Sequence, residues 1–270
     1  MRIKQLENSN KKPPPILRHF NSFPNPPHIS PDSYSPLMGA NQTTTRIPTN
    51  SELAVINELS HNILTQTNPN PTADENTETL ALLKRLWNAL VIYPDDKYVK
   101  DFQPIHPIYL TLGFQSPNPL NDLRAGGNLS LMQLVYFAET YNDVCRELIE
   151  TSVATSVEVK AGKNGGVVKR DKFPFATVGI NITYNLANIF DLTKNNFDHD
   201  SCHRNYWRLF RNTTSYNDVY VFLFKLVSRY WSEFNATLMD FADVLGHAIE
   251  NFDLLLKNGP DDVLDLIKWR

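Results

Sequence analysis

The chain has 270 residues, a formal net charge of −3, 41% hydrophobic residues and only two cysteines. This length and apolar content suffice for one sizeable core with an appendage, or for two small domains. Two cysteines exclude a disulfide framework, and no apolar run approaches the roughly 18 residues that a membrane span needs. The first residues also lack the apolar stretch of a signal peptide. We therefore expect a soluble cytoplasmic protein.

Residues 1–50 form a proline-rich segment that differs from the rest of the chain. They hold nine of the eighteen prolines, and six basic against two acidic residues give them a net charge of +4. The remainder of the chain therefore carries −7. Few aliphatic side chains are available for burial, so we predict a disordered tail. A solvated tail is the favoured interpretation, and contact with acidic lipid or with a proline-binding partner is the alternative.

Helical periodicity dominates after residue 50, where apolar residues recur at three- and four-residue spacing. We predict an N-terminal helix and linker over residues 51–79, and a helical domain over residues 80–268. A β-structure alternative survives only at residues 155–159 and 167–168, which is too little for a large sheet. The predicted fold is all-α. The apolar stripes of its helices cover residues 53–63, 80–90, 131–149, 175–190, 219–234 and 238–256, and a short C-terminal piece buries Val263 and Ile267.

The stretch over residues 109–137 sets one arginine between a turn-rich loop and an amphipathic helix. Proline, serine, asparagine and aspartate at residues 116–122 supply turn chemistry. The Gly126-Gly127 pair that follows allows a positive φ or the close approach of another backbone. Asn128 is the predicted N-cap of the helix. Arg124 therefore lies on an ordered loop just before a helix start.

Arg124 is the best candidate for a functional residue in this chain. An arginine is always charged, and its planar, forked donors suit phosphate oxygens. A loop arginine can also be solvated or pair with a nearby carboxylate such as Asp122, which is the commoner situation. Spacing alone favours that structural interpretation.

The same stretch resembles the signature of the ELMO-domain family, specifically its ELMOD branch. Four positions depart from the signature: Tyr109 stands for tryptophan, Asn121 for threonine, Leu123 for phenylalanine and Ala125 for glycine. Residues 175–183 and 216–241 also resemble the family, so the similarity covers roughly residues 80–257. The positions that match in register are Gly113, Phe114, Gln115, Pro119, Asp122, Arg124, Gly127, Leu131, Leu134, Tyr136 and Phe137.

The resemblance implies a GTPase-activating protein (GAP) for Arf and Arf-like small GTPases, with Arg124 as the catalytic residue. Hydrolysis of GTP spreads negative charge over the γ-phosphoryl oxygens, and an arginine inserted in trans neutralises that charge. Supporting roles fall to Gln115, Asp122 and Gly127 in the loop. Asp122 would orient the guanidinium and Gln115 would hydrogen-bond the loop backbone. Ordinary turn stabilisation is the alternative for both.

The implied protein regulates an enzyme and is not an autonomous one. We expect no cofactor or metal of its own, because GTP and Mg²⁺ belong to the partner GTPase. The expected partner is an Arf or Arf-like small GTPase, with neither nucleic acid nor a transmembrane segment. Peripheral contact with an intracellular membrane stays open.

Two other functions compete with this one. The second hypothesis is a non-catalytic ELMO-type interaction module that binds a small GTPase or an exchange factor without stimulating hydrolysis. The larger members of the family, which assist Rac exchange factors, generally lack the arginine, so the presence of Arg124 favours the GAP hypothesis. An autonomous hydrolase is disfavoured because no nucleophile and base form a recognisable pair.

Two further segments carry residue types that occur in functional sites. Residues 198–203 contain two aspartates, two histidines and Cys202, but no second ligand cluster follows at zinc spacing. We predict a polar loop there and no metal site. Residues 160–172 are rich in glycine and lysine, but they lack the complete phosphate-binding loop pattern. A solvated loop is the favoured interpretation, and a basic patch that faces a membrane or a GTPase is the alternative.

Overall fold

A computed structural model describes residues 45–65, 77–91, 101–154, 159–160, 167–168, 172–194 and 198–268. The predicted tail up to residue 44 and most of the predicted linker lie outside these residues. Within the described part of the chain, regular structure consists of helices and one short hairpin. The all-α prediction is therefore confirmed. No helix in the described ranges is both long and apolar enough to cross a membrane.

Eight α-helices and four 3-10 helices follow one another in these ranges. Strands β1 (Val159–Lys160) and β2 (Val167–Val168) pair antiparallel, and the β alternative reduces to this hairpin. The 3-10 helices are Pro107–Leu112, Pro119–Asn121, Trp207–Phe210 and Leu238–Asp240. The α-helices are α1 Asn50–Leu64, α2 Thr77–Leu90, α3 Gly127–Thr140, α4 Asn142–Ala154, α5 Phe175–Ile189, α6 Thr213–Glu233, α7 Phe241–Leu256 and α8 Val263–Lys268.

Helix α3 lies at the centre of the domain and packs against α1, α2, α5 and α6. The side chains of Leu131, Leu134 and Phe137 are fully buried. The Phe137 ring stacks on the ring of Phe175 in α5, with centroids 5.9 Å apart, and lies 4.8 Å from the ring of Phe224 in α6. A helix that is apolar on nearly every side is enclosed by its neighbours. The helix that follows the Arg124 loop is thus enclosed by four other helices.

The helix predicted from the stripe over residues 131–149 is two helices in the structure. Helix α3 ends at Thr140, and α4 begins at Asn142 after a non-helical Tyr141. The Asn142 side chain donates from Nδ2 to the carbonyls of Ala138 and Ala89, each at 2.9 Å. These bonds satisfy a carbonyl near the end of α3 and one near the end of α2. The apolar spacing continues across the break, so periodicity alone indicated a single helix.

The helical region begins before residue 50, the predicted end of the tail. Thr49 is the N-cap of α1 and forms a capping box with Glu52. The backbone of Arg46 pairs with that of Arg204 through two hydrogen bonds of 3.0 and 2.9 Å. Its guanidinium donates to both carboxylate oxygens of Glu52, at 2.7 and 2.6 Å. Residues that composition assigned to the tail therefore hold the start of α1.

The later helices follow the predicted stripes closely. Helix α5 starts after Pro174, and both Val263 and Ile267 of α8 are buried, as predicted. The last long stripe differs at its start, because residues 238–240 form a 3-10 turn rather than a part of α7. Leu238 and Met239 in that turn are 53% and 90% exposed.

Candidate functional site

The signature segment crosses the surface of the domain before it enters α3, and Gly113 sets its path. This glycine ends the first 3-10 helix with a φ of 85°. A Cβ at this position would lie 2.6 Å from the backbone nitrogen of Phe175, so only glycine lets the loop touch the start of α5. The Thr177 hydroxyl donates to the Gly113 carbonyl at 2.8 Å and fastens the contact.

Two of the four departures from the signature are buried anchors. Tyr109 is fully buried, with its ring 5.5 Å from that of Trp87 and 5.7 Å from that of Phe114. Its hydroxyl donates to the carbonyl of Gln103 at 3.1 Å, so the polar end of the side chain is satisfied. Leu123 is also fully buried. Both exchanges therefore keep an apolar anchor below the loop.

The other two departures lie at the surface of the loop. Asn121 donates from Nδ2 to the hydroxyl oxygen of Ser116 at 3.1 Å, which ties two turns together. Ala125 is exposed and has no positive φ. An alanine side chain therefore fits the backbone at the position where the signature has glycine.

The carboxylate of Asp122 closes the loop through backbone hydrogen bonds. Its Oδ2 accepts the N–H of Gln115 at 2.7 Å, and the N–H of Ser116 also donates to the carboxylate. Burial raises the pKa of Asp122, while these bonds and the nearby charge of Arg124 oppose the rise. Gln115 contributes its backbone to this contact, and Asp122 supplies the acceptor. These contacts stabilise the turn, and the supporting roles of Asp122 and Gln115 towards Arg124 stay predictions.

Arg124 is exposed and lies directly after the buried Leu123. Its Nε donates to the carbonyl of Asn121 at 3.0 Å. Within the described part of the chain, this bond leaves the two terminal nitrogens of the guanidinium without a hydrogen bond. A forked pair of donors is therefore presented at the surface by a loop whose base is anchored.

The start of α3 lies against the last turn of α1, and Gly127 makes this contact possible. Gly127 has a φ of 54°, and a Cβ there would lie 2.6 to 2.8 Å from the carbonyl oxygens of Ile63, Thr65 and Asn62. The predicted reasons for a glycine pair, positive φ and close backbone approach, are both confirmed at Gly127.

The predicted N-cap is wrong, because Gly126 occupies that position and Asn128 lies within the first turn of α3. Asn128 is buried, and its Oδ1 accepts the hydroxyl of Thr79 at 3.0 Å. Asparagine is a common N-cap residue, and the sequence does not reveal a partner in α2 for its side chain. Asn128 therefore joins α3 to α2 rather than capping α3.

An open, mainly apolar pocket of about 400 Å³ borders the loop. Gln115 lines this pocket, and its backbone N–H donates to the carboxylate of Asp122. The pocket joins three parts of the chain, the first 3-10 helix, the start of α5 and the start of α7. Its lining includes Leu110, Phe114, Gln115, Pro174, Leu238 and Phe241.

The two other segments with functional residue types are accounted for separately. His199 is buried, with its ring 6.2 Å from that of Trp207 and its Nε2 3.4 Å from the carbonyl oxygen of Phe190. It is a core contact of the polar loop. Of the basic stretch over residues 160–172, only Lys160, the strand β2 and Lys172 are described, and the other basic residues lie outside the described ranges.

A part-buried polar cluster at the far end of α3 was not predicted. The hydroxyls of Tyr136 and Tyr141 donate to the same oxygen of Asp218 in α6, at 2.7 and 3.0 Å. Burial raises the pKa of Asp218, and the tyrosine hydrogen bonds oppose that rise. Burial and the nearby carboxylate raise the pKa of both tyrosines. About eighty residues separate the aspartate from its partners, so no local pattern reveals the cluster.

Comparison with known proteins identifies the family of this chain. The sequence pattern of the ELMO/CED-12 family matches residues 62–245, more than half of the chain. The chain belongs to the ELMO/CED-12 family. The match extends from the last turn of α1 into α7 and includes the whole Arg124 loop. The resemblance of the signature to the ELMO-domain family is confirmed.

Relatives of this ELMO-family chain are themselves named for the domain. ELMO domain-containing protein C of Dictyostelium discoideum is 26% identical over 173 residues, or 60% of this chain and 24% of its own length. ELMO domain-containing protein B of the same organism is 33% identical over 45% of this chain and 36% of its own length. Human ELMO domain-containing protein 2 is 31% identical over 42% of this chain and 32% of its own length. The chain therefore spans well under half of each relative.

Proposed function

We propose that this ELMO-family protein is a GAP for Arf or Arf-like small GTPases and that it supplies Arg124 in trans. The observation that carries the proposal is the exposed guanidinium of Arg124 on an anchored loop. Only its Nε is engaged among the described contacts, so the terminal fork is available for a partner's phosphate oxygens. The register of Arg124 in the ELMOD signature is the second support.

The proposed chemistry depends on where charge develops. Water attacks the γ-phosphorus of GTP in the partner, the bond to the β-phosphate oxygen breaks, and negative charge grows on the transferred group and on the leaving oxygen. The GTP and Mg²⁺ are held by the GTPase. The Arg124 fork would donate to these oxygens in the transition state. Arginine fingers of other GTPase systems accelerate hydrolysis by roughly 10³- to 10⁵-fold.

The loop is suited to this role because it is held before a partner arrives. The side chain of Leu123 is buried on one side of the arginine, and Gly127 rests on α1 on the other. Asp122 fixes the preceding turn through the N–H of Gln115. Preorganised donors lose little freedom at the moment of reaction, so they contribute more to catalysis than flexible ones.

Single-turnover GTP hydrolysis by a panel of Arf and Arf-like proteins, with and without this chain, tests the proposal. We expect acceleration of at least one member of the panel. Arg124→Ala and Arg124→Lys should both lose most of it, because lysine keeps the charge and lacks the planar fork. Arg85→Ala is the matched control, since Arg85 is an exposed arginine that pairs with Glu139 in the last turn of α3. A folded, fully active Arg124→Ala protein would rule out the catalytic assignment.

The apolar pocket beside the loop favours a second candidate, an interaction module that binds a small GTPase or an exchange factor without stimulating hydrolysis. Its rim exposes Leu110 and Leu238, which are 47% and 53% accessible. Exposed apolar patches of this kind mark protein interaction sites. Binding of a GTP-loaded GTPase by the wild-type chain with no change in its hydrolysis rate would support this candidate against the GAP.

A further inference from the structure

The connection between α1 and Arg124 is short and consists of backbone contacts. The carbonyl oxygens of Asn62, Ile63 and Thr65 surround the Cα of Gly127 so closely that no Cβ fits. The N–H groups of Gly126 and Gly127 both donate to the carbonyl of Leu123, at 3.2 and 2.8 Å. Arg124 is the first residue inside the turn that these two bonds close. A shift of Gly127 on its seat therefore moves the base of the arginine.

Helix α1 is itself fixed at the end that lies away from this seat. The carboxylate of Glu52 is almost fully buried and accepts both guanidinium donors of Arg46 as well as the N–H of Thr49. Burial disfavours the charged form, but these donors outweigh it and lower the pKa of Glu52. The backbone pair between Arg46 and Arg204 ties this end to the chain before α6. The axial position of α1 is thus set at residues 46–52.

The apolar face of α1 leaves it little lateral freedom. Ile56 and Leu59 are 0% and 1% exposed, and the helix packs against α3, α5 and the 3-10 helix Trp207–Phe210. Most of α1 precedes residue 62, where the match to the ELMO/CED-12 family begins. The anchor at Glu52 therefore lies outside the family match, whereas the seat for Gly127 lies within it.

We propose that α1, with its anchor at Arg46 and Glu52, is the positioning element for Arg124. This inference rests on the proposed GAP function for its activity readout. The seat at Gly127 holds the loop so that the guanidinium lies where the partner's phosphoryl group needs it. None of the α1 residues touches the reacting atoms, and all of them act through the backbone of residues 123–127.

The first test replaces the glycine on the seat. Gly127→Ala strains a positive φ and introduces a Cβ that must displace three carbonyl oxygens of α1. A misplacement of about 1 Å can lower a rate by about a hundredfold. We therefore expect the GTP hydrolysis rate, measured with this protein at saturating concentration, to fall by about tenfold or more. Its affinity for the GTP-loaded GTPase should stay nearly unchanged. Gly246→Ala is the matched control, since nothing lies within 4 Å of a Cβ there. It should keep the wild-type rate.

The second test acts on the anchor and remains informative if Gly127→Ala does not fold. Glu52→Gln weakens the pair with Arg46 at the opposite end of α1 from the seat. Glu139→Gln makes the same chemical change in an ion pair with Arg85 that is also joined by two hydrogen bonds but has no part in α1. We expect a severalfold loss of the saturating rate for Glu52→Gln and none for Glu139→Gln.

Amide hydrogen exchange provides a readout that does not depend on GAP activity. The N–H groups of Gly126 and Gly127 donate to Leu123. The exchange of the Gly126 amide should quicken in both Gly127→Ala and Glu52→Gln, that of the Gly127 amide should quicken in Glu52→Gln, and both should stay unchanged in the two controls. Wild-type exchange in both test variants, together with wild-type rates, would overturn the inference and leave the GAP proposal standing. A wild-type chain that stimulates no GTPase would overturn the GAP proposal, while the exchange data would still decide whether α1 orders the loop.

Discussion

The two ends of α3 are held by opposite means. At its start, backbone contacts dominate: Gly127 rests on carbonyls of α1, and the N–H groups of the first turn bond to Leu123. At its end, side chains from distant elements meet, as Tyr136 and Tyr141 share one carboxylate oxygen of Asp218. The first end, the open end, presents an exposed arginine. The second is the closed end, where the part-buried cluster of Tyr136, Tyr141 and Asp218 lies. The exposed arginine and the long-range side-chain contacts that hold α3 therefore lie at opposite ends of this helix.

The most severe way to break the comparison is to destroy the helix between its ends. Leu134→Asp should unfold the domain, because Leu134 is fully buried and the substitution places a carboxylate in the apolar core. Burial of an unpaired charge costs several kcal/mol, a large share of the roughly 5–15 kcal/mol that stabilises a domain. Circular dichroism measures the outcome. Leu254→Asp, at a site 40% exposed in α7, is the control and should keep full helicity; full helicity in Leu134→Asp would mean that this face of α3 is open to water.

Substitutions at the closed end should affect stability without affecting the proposed GAP activity. Asp218→Leu leaves the hydroxyls of Tyr136 and Tyr141 without their shared acceptor. An unsatisfied buried group costs about 1–3 kcal/mol, and the part-buried Tyr136 should contribute less than the buried Tyr141. Asp218→Asn keeps an acceptor oxygen and should lose much less. Urea unfolding gives the difference in the free energy of unfolding between the two variants. Equal losses would show that the hydroxyls find other partners.

The same carboxylate predicts a pH dependence. Because burial raises the pKa of Asp218 above its ordinary value of 3.8, the folded state binds this proton more tightly than the unfolded state. Its contribution to stability therefore declines as the pH rises from about 4 towards the raised pKa, and is constant above it. The free energy of unfolding of wild type minus that of Asp218→Asn, measured across this range, isolates the effect. A difference that grows with pH would contradict the assignment.

A smaller effect on stability and a larger one on activity are expected at the open end. Asp122→Ala removes the acceptor for the N–H groups of Gln115 and Ser116, which can bond to water instead, so we expect a loss of about 1 kcal/mol. The proposed GAP activity should fall more sharply, since the loop that carries Arg124 loosens. Asp122→Asn, which keeps one acceptor oxygen, should lie between the two. Thermal melting and hydrolysis on the same preparations check both; a variant that loses stability and keeps its hydrolysis rate would separate Asp122 from the function.

The smallest effect sharpens the comparison at the surface. Arg85 and Glu139 form an ion pair with two hydrogen bonds near the end of α3, but their side chains are 54% and 40% exposed. Solvent and salt screen such pairs, so Glu139→Gln should change the free energy of unfolding by no more than about 1 kcal/mol. Chemical denaturation at low and high salt measures it. A larger loss would mean that the closed end extends to the surface.

Sequence patterns predicted the parts of the fold that depend on local information. Apolar spacing located the helices because each helix buries at least one stripe of apolar side chains. The glycine pair indicated the close backbone approach at Gly127. The break at Tyr141 escaped, since Asn142 ends α3 by bonding to Ala89, a carbonyl 53 residues earlier in the chain. Asn128 was predicted as the N-cap because asparagine is common there, and its actual partner, Thr79, lies in another helix where no local pattern shows it. Long-range polar contacts leave no periodicity in the sequence.

The candidate site was predictable in its residues and not in its contacts. Chain order and turn chemistry place Arg124 on a loop before α3, and the structure has it there. The sequence did not show that the backbone N–H of Gln115 donates to the carboxylate of Asp122, because this contact exists only in the folded loop. The seat under Gly127 is made of carbonyl oxygens, which every residue carries, so no residue type in α1 indicates it.

The central position of α3 also fixes when the arginine loop can form during synthesis. Helix α3 packs against α1 and α2, which precede it, and against α5 and α6, which follow it. A ribosome adds residues from the N-terminus at about 5–20 per second, and the rings of Phe175 and Phe224 emerge well after Phe137, which they cover. A nascent chain that already contains Arg124 therefore still lacks half of the walls that hold α3. The arginine is made early, but the geometry that presents it is completed only when α6 has left the ribosome.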